Sequence, residues 1–346
     1  MERKRQNEIS LFSVFLCFAV ICIHAFSEVV SSGAHATKIY YPVMAFQRLF
    51  SLAVPAFVFL SGLRFMLAYG KADDFSPLRY ILRRFARLLP LYAVWTAIYY
   101  AFRVFAYGYE FSAKNLFFGF LTGDTEAHLY FVPLILQFSL IAPISRALHR
   151  KFPAAFLIPA AMLFTAVFGE NLPWLLGVLF PKAEFAYCDR IFSLYLVYWS
   201  AGCAVGNSYE KFRQALEKFR MQISFLFALG YAAELFAAYY TYVLKRAVPC
   251  FPAVHAAYSL AAAIFFLMLA CMCAGKTESL PKPLQRLDGR VYFLYLSHIF
   301  PMLLVERFVF SYPLGLLERM AVRLIAMAIW TFAVAFIPKI KVKKYK

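Results

Sequence analysis

The sequence predicts an all-α integral membrane protein of about ten transmembrane helices, with both termini in the cytoplasm. Three observations predict it. The 346 residues are 63% hydrophobic and only 16% charged, which excludes a water-soluble domain with a polar surface on every side. Apolar windows long enough to cross a bilayer recur along the whole length. The basic residues collect in alternate connections between those windows, as topology signals do.

Windows bounded by charge, Pro and Gly fall at 10–30, 45–69, 88–106, 129–147, 154–169, 190–207, 222–243, 254–274, 291–310 and 319–338. The fifth is the weakest. Stretches 115–121 and 172–180 are apolar but too short to cross, and read as interfacial helices or re-entrant pieces. At ~20 apolar residues per span, the length is used up by one transmembrane domain over residues 1–346 with no appended soluble domain. Any chemistry then belongs inside the bundle or at its rims.

The formal charge of +18 in a soluble protein would point to nucleic acid. Sorting it by connection removes that partner. With the N-terminus inside, 24 of the 36 basic residues fall in cytoplasmic segments: 3–5, Lys71 with Arg79 to Arg87, Arg146 to Lys151, Lys211 to Arg220, Lys276 to Arg290, and Lys339 to Lys346. The opposite loops hold Lys38, Lys114, Lys182, Lys245 and Arg246. An even number of spans in a cell membrane, with the lipid bilayer as first partner, follows from that asymmetry. Arg3-Lys4-Arg5, an apolar run and Ala34-His35-Ala36 look superficially like a cleavable signal peptide, but the long run continues into further spans, so an uncleaved signal anchor is expected.

Of seven cysteines, Cys17, Cys22, Cys203, Cys271 and Cys273 lie in apolar runs and read as packing. Cys188 and Cys250 fall in loops on one side, where a disulfide is one option. No Cys and His have zinc-ligand spacing, so no metal is expected.

An ionisable residue within a span is costly and is a functional candidate by default. His24 in the first span has Glu28 four residues later on the same helical face, an arrangement in which a carboxylate fixes an imidazole as a general base. A polar helix contact alone accounts for His24 equally well. Arg48 and Arg64 flank Pro55 and Ser61-Gly62; the proline invites a kink and the small pair permits close helix approach. Arg48 is placed to meet an anionic or glycan ligand, or to snorkel to headgroups.

Arg79, Arg83 and Arg87 recur at i, i+4 and i+8, with Arg84 beside them, where a helix enters the membrane. Such a row suits phosphate groups on a cytosolic ligand, or anionic lipid and topology alone. His128 and Tyr130 open the fourth span in an interfacial belt. Asp189 and Arg190 are placed to pair as neighbours. Glu234 sits mid-span, where it must be protonated or paired, and His298 lies near mid-membrane, with Glu306 and Arg307 further out.

In combination and order these segments resemble the acyltransferase 3 family of multipass membrane acyltransferases. The resemblance rests on His24, VPAFVFLSG from Val54, RRFARLLPLY from Arg83, HLYFVP from His128, AGCAVG from Ala201 and GRVYFLYLSH from Gly289, and it covers nearly the whole chain. It implies about ten spans in a bacterial plasma membrane. It also implies transfer of an acyl group, most often acetyl from acetyl-CoA as co-substrate, to a hydroxyl of a cell-surface or lipid-linked saccharide. It makes His24 the catalytic base, beside which Glu28, by its spacing on the same helical face, is the carboxylate partner. Arg83, Arg84 and Arg87, with Arg79, become the acyl-CoA side. His128, Tyr130 and His298 match recurrent positions of the family and, together with Arg48 and Glu234 as read from the spans themselves, are the substrate-side candidates.

One departure stands out. The family commonly carries an acidic residue and an arginine in the first span, at positions that are Ser10 and Ser13 here; the arginine would lie roughly 16 Å along the helix from His24, on the donor side. That loss motivates an alternative of another class, a transporter or flippase-like protein for a glycan or acylated lipid. A non-catalytic partner of a polysaccharide-synthesis complex is a third.

Overall fold

The computed structural model describes residues 6–33, 37–181, 186–275 and 279–336. All regular structure among the described residues is helical. In chain order the α-helices are α1 (Asn7–Ser31), α2 (Tyr40–Phe50), α3 (Ala53–Tyr69), α4 (Pro77–Tyr107), α5 (Ala113–Thr122), α6 (Phe131–Lys151), α7 (Ala154–Phe164), α8 (Leu172–Leu179), α9 (Leu196–Asn207), α10 (Tyr209–Lys218), α11 (Arg220–Ala238), α12 (Phe251–Ala274), α13 (Lys282–Asp288), α14 (Val291–Ser297), α15 (Ile299–Phe308) and α16 (Leu316–Phe336). The basic segments at 3–5 and 339–346, Lys182, Lys276 and the Ala34-His35-Ala36 stretch lie outside the described residues.

Eight helical stretches among the described residues are long and apolar enough to cross a membrane, and they coincide with eight of the ten windows. The fifth window is half of a bent pair: Ala154–Gly169 meets Leu172–Leu179 at 48°, so 172–180 joins it as a broken span or re-entrant piece. The sixth, 190–207, departs most. Only Leu196–Asn207 is α-helical, 12 residues long, about 18 Å against a core of about 30 Å. The backbone before it leaves the helix because the Gln137 amide replaces helical partners, donating to the Arg190 carbonyl at 2.9 Å and accepting from the Phe192 N–H at 3.0 Å. Irregular backbone is tolerated at such depth only where protein satisfies it.

Pro55 sets another break. It lacks an N–H for the Ser51 carbonyl, and its ring crowds that carbonyl, so α2 and α3 are interrupted at Ser51 and Leu52. Ser51 turns back instead, its hydroxyl donating to the Arg48 carbonyl at 2.8 Å.

The helices form two compact units, Met1–Gln47 with Met272–Lys346, and Arg48–Cys271. In the first, α1 packs against α13, α14 and α16. The Trp330 indole donates to the Ser297 hydroxyl at 2.9 Å, and Arg290 donates to the Val334 carbonyl.

In the second unit α3 lies along α9 in the most extensive helix contact. Three glycines make it close: a Cβ on Gly62 would stand 2.5 Å from the Trp199 carbonyl oxygen, one on Gly206 2.5 Å from that of Leu63, and one on Gly202 against that of Phe59. The close approach expected of Ser61-Gly62 is therefore met by glycines on both sides. Trp199 stacks on Phe138 at 4.9 Å, and buried His149 sets its ring nitrogens 2.9 and 3.1 Å from the Ser145 and Ser200 carbonyls. Gly202→Ala is expected to lower the thermal midpoint in detergent, at a cost of about 1–3 kcal/mol of overpacking against backbone. Gly177→Ala, where an added Cβ meets nothing within 4 Å, is the neutral control; equal midpoints for the two variants contradict the expectation.

Candidate active site

In the first unit His24, on the fifth turn of α1, meets His298 at the end of α14, with ring centroids 5.2 Å apart and planes at 52°. His298 is buried, and its Nδ1 lies 2.7 Å from the Tyr295 carbonyl. A carbonyl only accepts, so Nδ1 carries the proton and Nε2 is the basic nitrogen. The two histidines were separate features in the sequence; packing of α1 on α14 brings them together.

Glu28, one turn beyond His24, is held by two arginines of α16. Arg319 Nη1 approaches Oε1 at 3.2 Å and Arg323 Nη1 approaches Oε2 at 2.8 Å. Arg323 also grips Glu306, Nη2 to Oε1 at 2.7 Å. The Phe310 ring lies 5.3 Å from both guanidinium carbons. Four charges thus alternate in sign beside the histidine pair, and Arg319 and Arg323 went unrecognised in the sequence. Their i, i+4 spacing on an otherwise apolar span was the available signal.

Nearer the start of α1, buried Ser10 donates to Asp288 Oδ2 at 3.0 Å, and Ser13 is fully buried. Where the resemblance leads one to expect an acidic residue, a serine is hydrogen-bonded to a carboxylate supplied by α13.

The second unit holds the remaining candidates. Arg79, Arg83 and Arg87 are exposed along one face of α4, and Arg84 is half-buried. Arg48 Nη1 lies 3.8 Å from Oε1 of Glu234, and His255 Nδ1 lies 3.2 Å from that same oxygen. His255 was not singled out from the sequence. It is the second residue of an apolar window that reads as plain core, and its partner is on a different helix.

His128 and Tyr130 belong to a connection that is pinned at several points. Arg103 donates twice to Glu126 Oε1, at 3.1 and 3.0 Å. Burial pushes the Glu126 carboxyl up, and Arg103 opposes that shift. Arg190 pairs with Asp124 at 2.8 Å and with its neighbour Asp189 at 3.5 Å, as their adjacency predicts for the latter pair. Buried His128 meets Tyr99 edge-on at 5.4 Å, and the Arg190 guanidinium lies 6.0 Å from the Tyr130 ring. Gly123, at φ 72°, allows the turn, because a Cβ there would fall 2.5 Å from Tyr130 Cα. The option of a Cys188–Cys250 disulfide is not taken up: neither cysteine forms a disulfide, the first being buried and the second exposed.

Apolar helices of spanning length with charged clusters buried among them define a polytopic helical membrane protein. The sequence model of the acyltransferase domain family Acyl_transf_3 matches residues 7–339. The chain belongs to that family, and it is a membrane acyltransferase. No curated protein and no solved structure matches it.

Proposed function

We propose that the protein transfers an acyl group, acetyl first among them, from acyl-CoA to a hydroxyl of a cell-surface or lipid-linked saccharide. The observation that carries this reading is the imidazole pair, His24 beside His298 at 5.2 Å in the middle of an apolar unit. His24 accepts the hydroxyl proton as the hydroxyl oxygen bonds to the thioester carbonyl carbon. The carbon–sulfur bond then breaks, and the proton passes to the departing thiolate, so the products are an ester and free CoA thiol. Glu28, clamped by Arg319 and Arg323, is the carboxylate that keeps the His24 ring oriented one helical turn away.

The exposed row Arg79, Arg83 and Arg87, with Arg84, receives the phosphates of the donor. In this reading the chain crosses the plasma membrane ten times, as one domain with both termini inside. The row then faces the cytoplasm, where acyl-CoA is made. His128 and Tyr130 stand on the saccharide side.

Proteoliposomes given radiolabelled acetyl-CoA on the arginine side and a lipid-linked saccharide on the other test this. Label bound covalently to the saccharide is the expected result. Passage of unmodified saccharide without label would overturn it in favour of a transporter. In the same assay Arg83→Gln/Arg87→Gln is expected to raise KM for acetyl-CoA about tenfold, from two exposed ionic contacts of under 1 kcal/mol each, and to leave kcat unchanged.

A further inference from the structure

Among the buried side chains of Arg48–Cys271 with unfinished hydrogen bonding, one group gathers three ionisable residues. Glu234 on α11 is fully buried, and its Oε1 faces Arg48 Nη1 at 3.8 Å, His255 Nδ1 at 3.2 Å and the Ser51 hydroxyl at 3.5 Å. Its other oxygen, Oε2, is buried without a hydrogen-bond partner among the described residues, and so is Arg48 Nε. An ion pair kept only for packing normally completes its bonds, because an orphaned buried polar atom is costly.

Local backbone also departs from the α-helix here. Arg48 lies 4.5 Å from the centre of the Tyr242 ring, which belongs to the π-helical turn Tyr239–Val243, and such turns are frequent at functional sites. The Glu234 side chain is 0% exposed, that of Arg48 16% and that of His255 31%. The carboxylate is thus a floor, the imidazole is its open rim, and the guanidinium lies between them with its Nε buried.

We propose that Arg48, Glu234 and His255 form a binding site for a neutral polyhydroxylated ligand, a saccharide or the sugar headgroup of a glycolipid. A hydroxyl donates to Glu234 Oε2 and accepts from Arg48 Nε at once, which completes both orphaned atoms. An anion would meet Glu234, and a cation would meet Arg48. A second hydroxyl reaches His255 Nε2, which has the Ser259 hydroxyl at 3.5 Å.

The site's place in its unit agrees with this ligand. Arg48 and Ser51 precede α3, whose 17 residues run about 26 Å to Tyr69. The Tyr69 ring meets Tyr80 near the start of α4 at 5.3 Å. Hydroxyl ligand and arginine row therefore occupy opposite ends of the unit. The inference rests on the hydroxyl-acceptor reading for the ligand's role, but its test needs no acyl transfer.

The full chain in phosphatidylcholine nanodiscs, free of sugar detergent, is treated with diethyl pyrocarbonate, and carbethoxylation of His255 is followed by peptide mass spectrometry. One arm adds methyl β-D-glucopyranoside, and the other places a glucosyl diacylglycerol in the bilayer. Protection by the first identifies a soluble saccharide, and protection by the second alone identifies a lipid headgroup. If neither slows the reaction at His255, the proposal is overturned.

Glu234→Gln is expected to weaken the protecting probe about tenfold or more, the loss of a charge-assisted hydrogen bond. Arg48→Lys, which keeps the charge and withdraws Nε, serves where Glu234→Gln fails to fold. Unaltered protection in a folded Glu234→Gln or Arg48→Lys protein also overturns the proposal. His24→Ala is expected to lower transfer by about 10²–10⁴-fold and leave the protection intact, so the two readings fail separately.

Discussion

His24→Ala is expected to lower kcat for acyl transfer by about 10²–10⁴-fold, the usual contribution of a positioned general base, with KM for acyl-CoA unchanged. The expectation follows from where the imidazole stands. It is half-buried on an apolar helix and packed on a second imidazole, whose Nδ1 is committed to the Tyr295 carbonyl. A histidine that served only as a helix contact would lose stability on truncation and leave turnover intact in the molecules that remain folded. Detergent-purified variant and wild type are therefore compared by turnover per folded molecule, with the thermal midpoint measured in parallel. Wild-type turnover in a correctly inserted His24→Ala protein removes the mechanism.

The second large effect is on Arg323. Its side chain is 9% exposed and bridges Glu28 at 2.8 Å and Glu306 at 2.7 Å. Arg323→Leu removes both ion pairs together, and leaves two carboxylates with Arg319 alone on the Glu28 side. Breaking a buried pair on one side costs on the order of 3 kcal/mol, because the surviving charge stays behind without compensation. Arg323→Lys restores the charge, but a compact ammonium does not span two carboxylates as a planar guanidinium does, so it recovers only part of the loss. The measurement is thermal unfolding in detergent. Adding Glu306→Gln to Arg323→Leu is expected to cost less than the two separate losses combined, since one unpaired carboxylate is then neutral. Strict additivity would show that the bridge to Glu306 contributes nothing. Turnover is expected to fall with Arg323→Leu as well, because Glu28 loses one of the two guanidinium groups that hold it one turn from His24.

Much of the fold was legible because bilayer crossing is a local property. Twenty apolar residues in a row satisfy their own backbone as a helix whatever surrounds them. Eight windows accordingly coincide with helices of spanning length. The segment at 190–207 read as a span by the same rule, and the rule failed there for a non-local reason. Gln137, more than fifty residues away, supplies the hydrogen bonds that let residues 190–192 leave the helix. Hydropathy contains no information about such a partner.

The candidate site divides in the same way. His24, Glu28, Glu234, His298 and the arginine row were visible one by one, since an ionisable residue in an apolar run stands out against its neighbours. Arg323 and His255 were not, and each shows its role only through a partner on another helix. Arg323 links Glu28 to Glu306, and His255 completes the group around Glu234 with Arg48.

By itself, then, the sequence determined a helical multipass membrane protein of the acyltransferase family and the types of residue that carry its chemistry, because apolar length and buried charge are read along the chain. Only the tertiary structure decided which charge meets which. His24 gained His298, Glu28 gained two arginines, and Glu234 gained an imidazole. Each partner arrives from another helix, and side-chain pairing in a bundle is fixed by which helix faces touch.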